Sequence, residues 1–97
     1  MAVLELARFK VGIGKAEAMV SSRDDMVAAM RARFPGLIEA RLARLDEETW
    51  IDVWRWDTLE NAQAAAEGAP SVPEAAAMFS MIDEVVSMEH ADIVHEG

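Results

Sequence analysis

The chain of 97 residues has no cysteine, no tyrosine, two histidines, and only 9 Lys and Arg against 18 Asp and Glu. Each shortage closes off a class of function. Without cysteine there is no disulfide framework, no thiolate metal site and no cysteine nucleophile, so packing alone must hold the fold. His90 and His95 make a poor metal site at their spacing, and no metal is expected. The net charge of −9 repels phosphate backbones and anionic lipid headgroups, which argues against nucleic-acid and membrane partners. No apolar run is long enough to span a bilayer, and the first residues enter Val3-Leu4-Glu5-Leu6 without a basic leader; the expectation is a cytoplasmic protein. Gly12-Ile13-Gly14 lacks the third glycine and downstream acid of a dinucleotide fingerprint, and no nucleophile elbow occurs. Nicotinamide and bound flavin are therefore disfavoured, and no cofactor is expected.

A chain of this size reads as one domain, residues 1–97, that buries about two thirds of its unfolded surface. Its hydrophobic share of 53% is high for so small a body and implies apolar surface reserved for an interface, most simply a homodimer. Three of the six aromatic residues fall in Thr49-Trp50-Ile51-Asp52-Val53-Trp54-Arg55-Trp56. A period of two puts Trp50, Asp52, Trp54 and Trp56 on one face and Ile51 and Val53 on the other. Helices in a small antiparallel domain cover one side, so one face is left for a partner or ligand. The expectation is an uncovered apolar face carrying one carboxylate among indoles.

Residues 2 to 11 alternate, with Val3, Glu5, Ala7, Phe9 and Val11 on one side, and read as a strand before Gly12. From Lys15 to Phe34 a stripe of Ala16, Met19, Val20, Met26, Val27, Met30 and Phe34 predicts a helix that Pro35-Gly36 stops. Leu37–Leu45 and Thr49–Trp56 form a hairpin around Asp46-Glu47-Glu48. Asp57-Thr58-Leu59-Glu60 predicts a capped helix with Asp57 as cap, running to about Glu67. Ser71-Val72-Pro73-Glu74 predicts a second capped helix to about Asp83, with Ala75, Met78, Phe79 and Ile82 on one face. Val85–Val94 is a last strand. The order βαββαβ predicts an α+β, ferredoxin-like sandwich with an antiparallel sheet and helices on a single face.

That order, with the stretch from Trp50 to Glu67, Met78-Phe79-Ser80-Met81-Ile82-Asp83 and Glu89-His90 on the last strand, resembles the antibiotic biosynthesis monooxygenase (ABM-like) family. The likeness spans nearly the whole chain, and its most recognisable piece is Trp56-Asp57-Thr58-Leu59-Glu60-Asn61-Ala62. It implies a dimeric α+β barrel, two protomers packed sheet to sheet, each enclosing an apolar pocket between sheet and helices. The family includes cofactor-independent oxygenases of polyketide anthrones and haem-degrading oxygenases. The haem-degrading pattern of a first-strand asparagine, a helix tryptophan and a histidine ligand is missing: Ala7 and Ala64-Ala65-Ala66 stand at those places, and no histidine precedes His90. The resemblance therefore disfavours haem degradation. Of the residues around the pocket in the anthrone branch, only Trp54, Trp56 and Asn61 have counterparts.

The residues offer two readings at each candidate position. The indoles of Trp54 and Trp56 either form a platform for a flat aromatic ligand or fill a core. Asp52, a carboxylate in apolar company, is either a base of raised pKa or one half of a salt bridge to Arg41 or Arg44. Arg23, inside the first helix's apolar stripe, must snorkel to water or find an acid, and could instead anchor an anionic substrate or an enolate at the pocket mouth. His90 is a second candidate base, flanked by Glu89 and Asp92. Glu5 is another carboxylate on an apolar face, or a residue of a wet rim. Met78, Phe79, Ala7 and Phe9 complete the candidate binding set. The leading expectation is a homodimeric, cofactor-independent monooxygenase for a planar phenolic or polyketide-type substrate, with Asp52 or His90 as base. The alternative is a non-catalytic small-molecule-binding dimer, or an isomerase- or decarboxylase-like member of the same barrel superfamily.

Overall fold

A computed structural model describes residues 2–97. Its elements are β1 (Val3–Lys10), α1 (Ile13–Arg33), β2 (Leu37–Arg44), β3 (Thr49–Trp56), α2 (Leu59–Gly68), α3 (Pro73–Phe79) and β4 (Glu84–Asp92). The strands pair antiparallel in the order β2-β3-β1-β4, the ferredoxin-like arrangement that the order of elements predicts. Among the described residues no helix is long and apolar enough to cross a membrane.

The helices cover one sheet face over β1 and β3. Val3, Phe9, Trp50, Asp52, Trp54 and Trp56 are buried with Met19, Met26 and Met30 of α1, Ala62 and Ala65 of α2, and Ala75 and Met78 of α3. The opposite face carries Leu4, Leu6, Ile51, Val53 and Arg55, all part-buried. The indole face is thus the helix-covered one, which corrects the expectation that it stands open. Three indoles carry the largest apolar area in the chain, and the methionines of α1 and α3 adapt to their shapes. The smaller Leu, Ile and Val face is the one left to water.

Helix α1 follows its predicted stripe with a spacing of four, three and four: Met19, Arg23, Met26 and Met30 are its buried residues. Val20, assigned to that stripe from sequence, is 46% exposed on the flank. The helix caps differ by one residue from expectation. Thr58, not Asp57, caps α2 and accepts from Asn61 N, while Asp57 accepts from the Asn61 side chain at 2.8 Å. Val72, with no side-chain cap, precedes α3, and Ser71 lies in a short 3-10 turn, Ala69–Ser71. Helix α3 stops at Phe79 rather than about Asp83. Met81 N and Ile82 N bond back three residues in tight turns, and Asp83 N already reaches Lys10 O of the sheet.

Gly36 makes the turn between α1 and β2 at φ 97°, where a Cβ would fall 2.2 Å from Asp57 Oδ1 and 2.7 Å from Asn61 Nδ2. Both the backbone conformation and the close approach of the α2 cap demand glycine. Gly36→Ala is expected to lose about 2 kcal/mol in urea denaturation, and wild-type stability for that variant would refute the constraint.

Candidate functional site

The register of the sheet assembles the site. Across β1 and β3, Glu5 faces Trp54 and Ala7 faces Asp52; across β1 and β4, Glu5 faces His90 and Ala7 faces Met88. These side chains share the helix-covered face, but β4 extends beyond the cover. Val85 is 63%, Met88 47% and, on α3, Phe79 40% exposed. Between them and the buried floor lies a two-lobed cavity.

The inner lobe, of about 130 Å³, is lined by Glu5, Met26, Met30 and Trp54 together with Ala65, Ala66, Ala69 and Pro70. The outer lobe, of about 430 Å³, is lined by Phe9, Met78, Ile82 and Val85, with Asp83 and Glu84. Ala7, Asp52, Phe79 and Met88 border both lobes. Apolar walls with a few polar groups are the usual build of a small-molecule site.

Asp52 is the best-tied group at the site. Arg23 Nη1 donates to its Oδ2 at 2.7 Å and Arg23 Nη2 to its Oδ1 at 2.6 Å, and Trp54 Nε1 donates to Oδ1 at 2.5 Å. The guanidinium also lies 5.6 Å from the centre of the Trp54 ring, which stacks on Trp56 at 6.0 Å. Burial pushes the Asp52 carboxyl above its ordinary value, and the Arg23 fork and the indole N–H pull against that rise. The partner expected across the hairpin, Arg41 or Arg44, is not the one found. Arg41 pairs with Glu39, and Arg44 stacks over the Trp50 ring at 5.5 Å. Arg23 neither snorkels nor lines the cavity; it is held by Asp52 from the helix side.

Glu5 holds a different position. Its side chain is 12% exposed and borders the inner lobe, and its Oε2 lies 3.1 Å from His90 Nε2. Burial raises its carboxyl above the ordinary range. The bond and charge of His90 oppose this, and the charge of Asp52 adds to it. His90 stands behind Glu5 and borders neither lobe.

The remaining sequence candidates divide. Trp54, Met78, Phe79, Ala7 and Phe9 line the cavity. Trp56, fully buried, belongs to the core, and Asn61 belongs to the α2 cap; neither borders the cavity. Glu5 and Met88 are members that sequence reading left out of the set. The alternation of β1 already put Glu5 beside Ala7 and Phe9, but its pairing with His90, 85 residues away, is set by the β1–β4 register.

No protein-family model matches the chain, and no curated protein matches it. Solved structures do. The chain is similar to a candidate antibiotic biosynthesis monooxygenase from Caulobacter crescentus, with 20% identity over 97% of this chain and 91% of that one at a TM-score of 0.78. It is similar to SnoaB, a cofactor-independent oxygenase from Streptomyces nogalater, with 19% identity over 99% and 95% at 0.66. It is also similar to a dimeric ferredoxin-like protein from an uncultured marine organism, with 17% identity over 99% and 90% at 0.71. At these identities the likeness is one of fold, over the full length of the chain.

Two outcomes follow from the paired groups. Removing one member of the Arg23–Asp52 pair strands a charge in the core. Arg23→Leu or Asp52→Leu alone is therefore expected to lose about 3–5 kcal/mol, and the double variant far less than the sum; additive losses in urea titrations would show that the two are uncoupled. Glu5 is held above its ordinary 4.5, so the fold favours its protonated form, with stability full below 4.5 and declining as pH rises through the raised value. Glu5→Gln is expected to melt above the wild type at neutral pH, with the gap closing near pH 4; a gap that widens in acid would reverse the sign.

Proposed function

We propose that this chain is a cofactor-independent oxygenase of the antibiotic biosynthesis monooxygenase type, acting as a homodimer on a planar phenolic or polyketide-type ring held in the two-lobed cavity. The observation that carries this reading is Glu5: a carboxylate of raised pKa at the wall of an apolar cavity, backed by a histidine. Asp52, proposed from sequence as the base, already accepts three hydrogen bonds, and Glu5 is the better candidate. His90 acts as a positioning residue that holds the Glu5 carboxylate and tunes it.

In the proposed reaction Glu5 removes a proton from a ring CH2 made acidic by a neighbouring carbonyl. The resulting carbanion passes one electron to oxygen, and the two radicals join at carbon as a peroxide, which is protonated. Loss of water leaves a carbonyl. One oxygen atom enters the product, and the other leaves as water with the two hydrogens of the CH2. The protein supplies a base, a dry cavity and alignment with the Trp54 ring.

The proposed dimer covers the second sheet face, where Leu4, Leu6, Ile51 and Val53 are part-buried in the single chain. That pairing is supported by the fold likeness to a dimeric protein. The reading is of a cytoplasmic enzyme whose net charge of −9 keeps it from anionic lipid and nucleic acid. A proton-shuttling isomerase would use the same Glu5–His90 pair, and oxygen uptake separates the two activities.

The test is oxygen consumption and quinone absorbance with a panel of anthrones across pH, together with native mass spectrometry for the dimer. Turnover is expected to rise with pH through the raised Glu5 titration. Glu5→Gln should lose about a hundredfold or more in kcat with little change in KM. His90→Ala should move the acid limb to higher pH, because the His90 contact lowers the Glu5 carboxyl. Full activity in Glu5→Gln, or an acid limb that stays in place in His90→Ala, would refute these roles.

A further inference from the structure

We infer that the cavity selects an uncharged ring that donates a hydrogen bond to Asp52, and rejects carboxylates and other anions. This rests on the cavity being the substrate site, as proposed above, but not on the reaction performed there.

The argument begins with acceptor capacity. A carboxylate offers about four acceptor positions, two on each oxygen. Oδ1 of Asp52 accepts from Arg23 Nη2 and from Trp54 Nε1, whereas Oδ2 accepts only from Arg23 Nη1. One acceptor position is left on Oδ2, on a residue that borders both lobes. The residues that share that border, Ala7, Phe79 and Met88, have no side-chain hydrogen-bond donor to offer it. Oδ2, already bonded to Arg23, keeps a second lone pair, where a ring bearing O–H or N–H gains a charge-assisted hydrogen bond that its methylated counterpart forfeits.

The charge of the lining sets the second half of the selection. Its ionisable groups are Glu5, Asp52, Asp83 and Glu84, all acidic. The basic side chains that pair with these acids do not line the cavity: Arg23 holds Asp52, Lys15 holds Asp83, and His90 meets Glu5. Among the described residues no guanidinium or ammonium lines either lobe to receive an anion, which would add its charge to that of the lining carboxylates. A cationic ring has little to gain either, since three of the four acids already have basic side-chain partners. A neutral donor is the chemistry that fits.

The probes are 2-naphthol, 2-methoxynaphthalene and 2-naphthoate, three rings of similar shape, titrated calorimetrically into the wild type at neutral pH, where only the last is charged. Naphthol should bind, the ether about tenfold or more weakly, and naphthoate about a hundredfold more weakly. Because variants of Asp52 threaten the fold, the assignment is checked with Glu5→Gln. The preference for naphthol over the ether should persist there, since the donor goes to Asp52, while the penalty on naphthoate should shrink. Equal binding of the three rings, no binding of any, or loss of the naphthol preference in Glu5→Gln would each overturn the inference. If the selection holds while no anthrone consumes oxygen, the site reading stands and the oxygenase reading fails.

Discussion

The fork between Arg23 and Asp52 fixes the relation of the long helix to the sheet, and most of the site follows from it. Asp52 sits on a strand between Trp50 and Trp54, and Arg23 sits four residues from Met19 and three from Met26. Each charge would be intolerable in its own apolar stripe, and each makes the other possible. Two parallel hydrogen bonds, a third from the Trp54 indole and the guanidinium lying by that ring leave little freedom of register or rotation. A sliding helix would strand both charges, so the apolar methionines can adapt around a polar pin that does not.

Because the fork takes up both charged groups, the roles of base and anion receptor cannot fall to them. What remains at the inner lobe is Glu5, two positions from Ala7 on β1 and opposite His90 on β4. The environments of the two carboxylates differ in kind. Asp52 is bound from the helix side by the Arg23 guanidinium, whereas Glu5 has an imidazole as partner and the inner lobe in front of it. Two neighbouring carboxylates held by such different partners suit the division proposed above, in which one is structural and the other exchanges protons.

Much of the fold was legible in the chain itself. The α1 stripe, the Pro35-Gly36 stop, the hairpin around Asp46 and the alternation of β3 follow from local periodicity, and the ferredoxin-like order follows from their succession. The choice of face was not legible. A period of two says that Trp50, Asp52, Trp54 and Trp56 go together, but not whether helices or water lie beyond them. That choice goes with the large indole area and with the bond of Asp52 to Arg23, 29 residues away, a contact that no local pattern contains. The same limit explains the site. Trp54, Met78, Phe79, Ala7 and Phe9 were readable as a set because each lies on an apolar face, whereas the separation of Trp54 from Trp56, and the pairing of Glu5 with His90, depend on where the helices stop covering the sheet. Asn61 was legible as part of a helix start, and its position at the third residue of α2 gives it a capping duty there.

The early end of α3 ties the cavity to the cap of α1. Three residues beyond Phe79 turn back on themselves before Asp83 joins the sheet, and the Asp83 carboxylate accepts from Gly12 N at 2.7 Å and from Lys15. The first turn of α1 has no acidic residue and no side-chain cap of its own, so its exposed N–H groups draw a carboxylate from a distant segment. That contact holds the chain between α3 and β4 against α1, and this is the segment from which Ile82, Asp83, Glu84 and Val85 form the outer lobe. The unfilled cap of one helix thus holds the segment that follows another beside the covered part of the sheet, where Asp52 and Phe79 border both lobes and Glu5 borders the inner one.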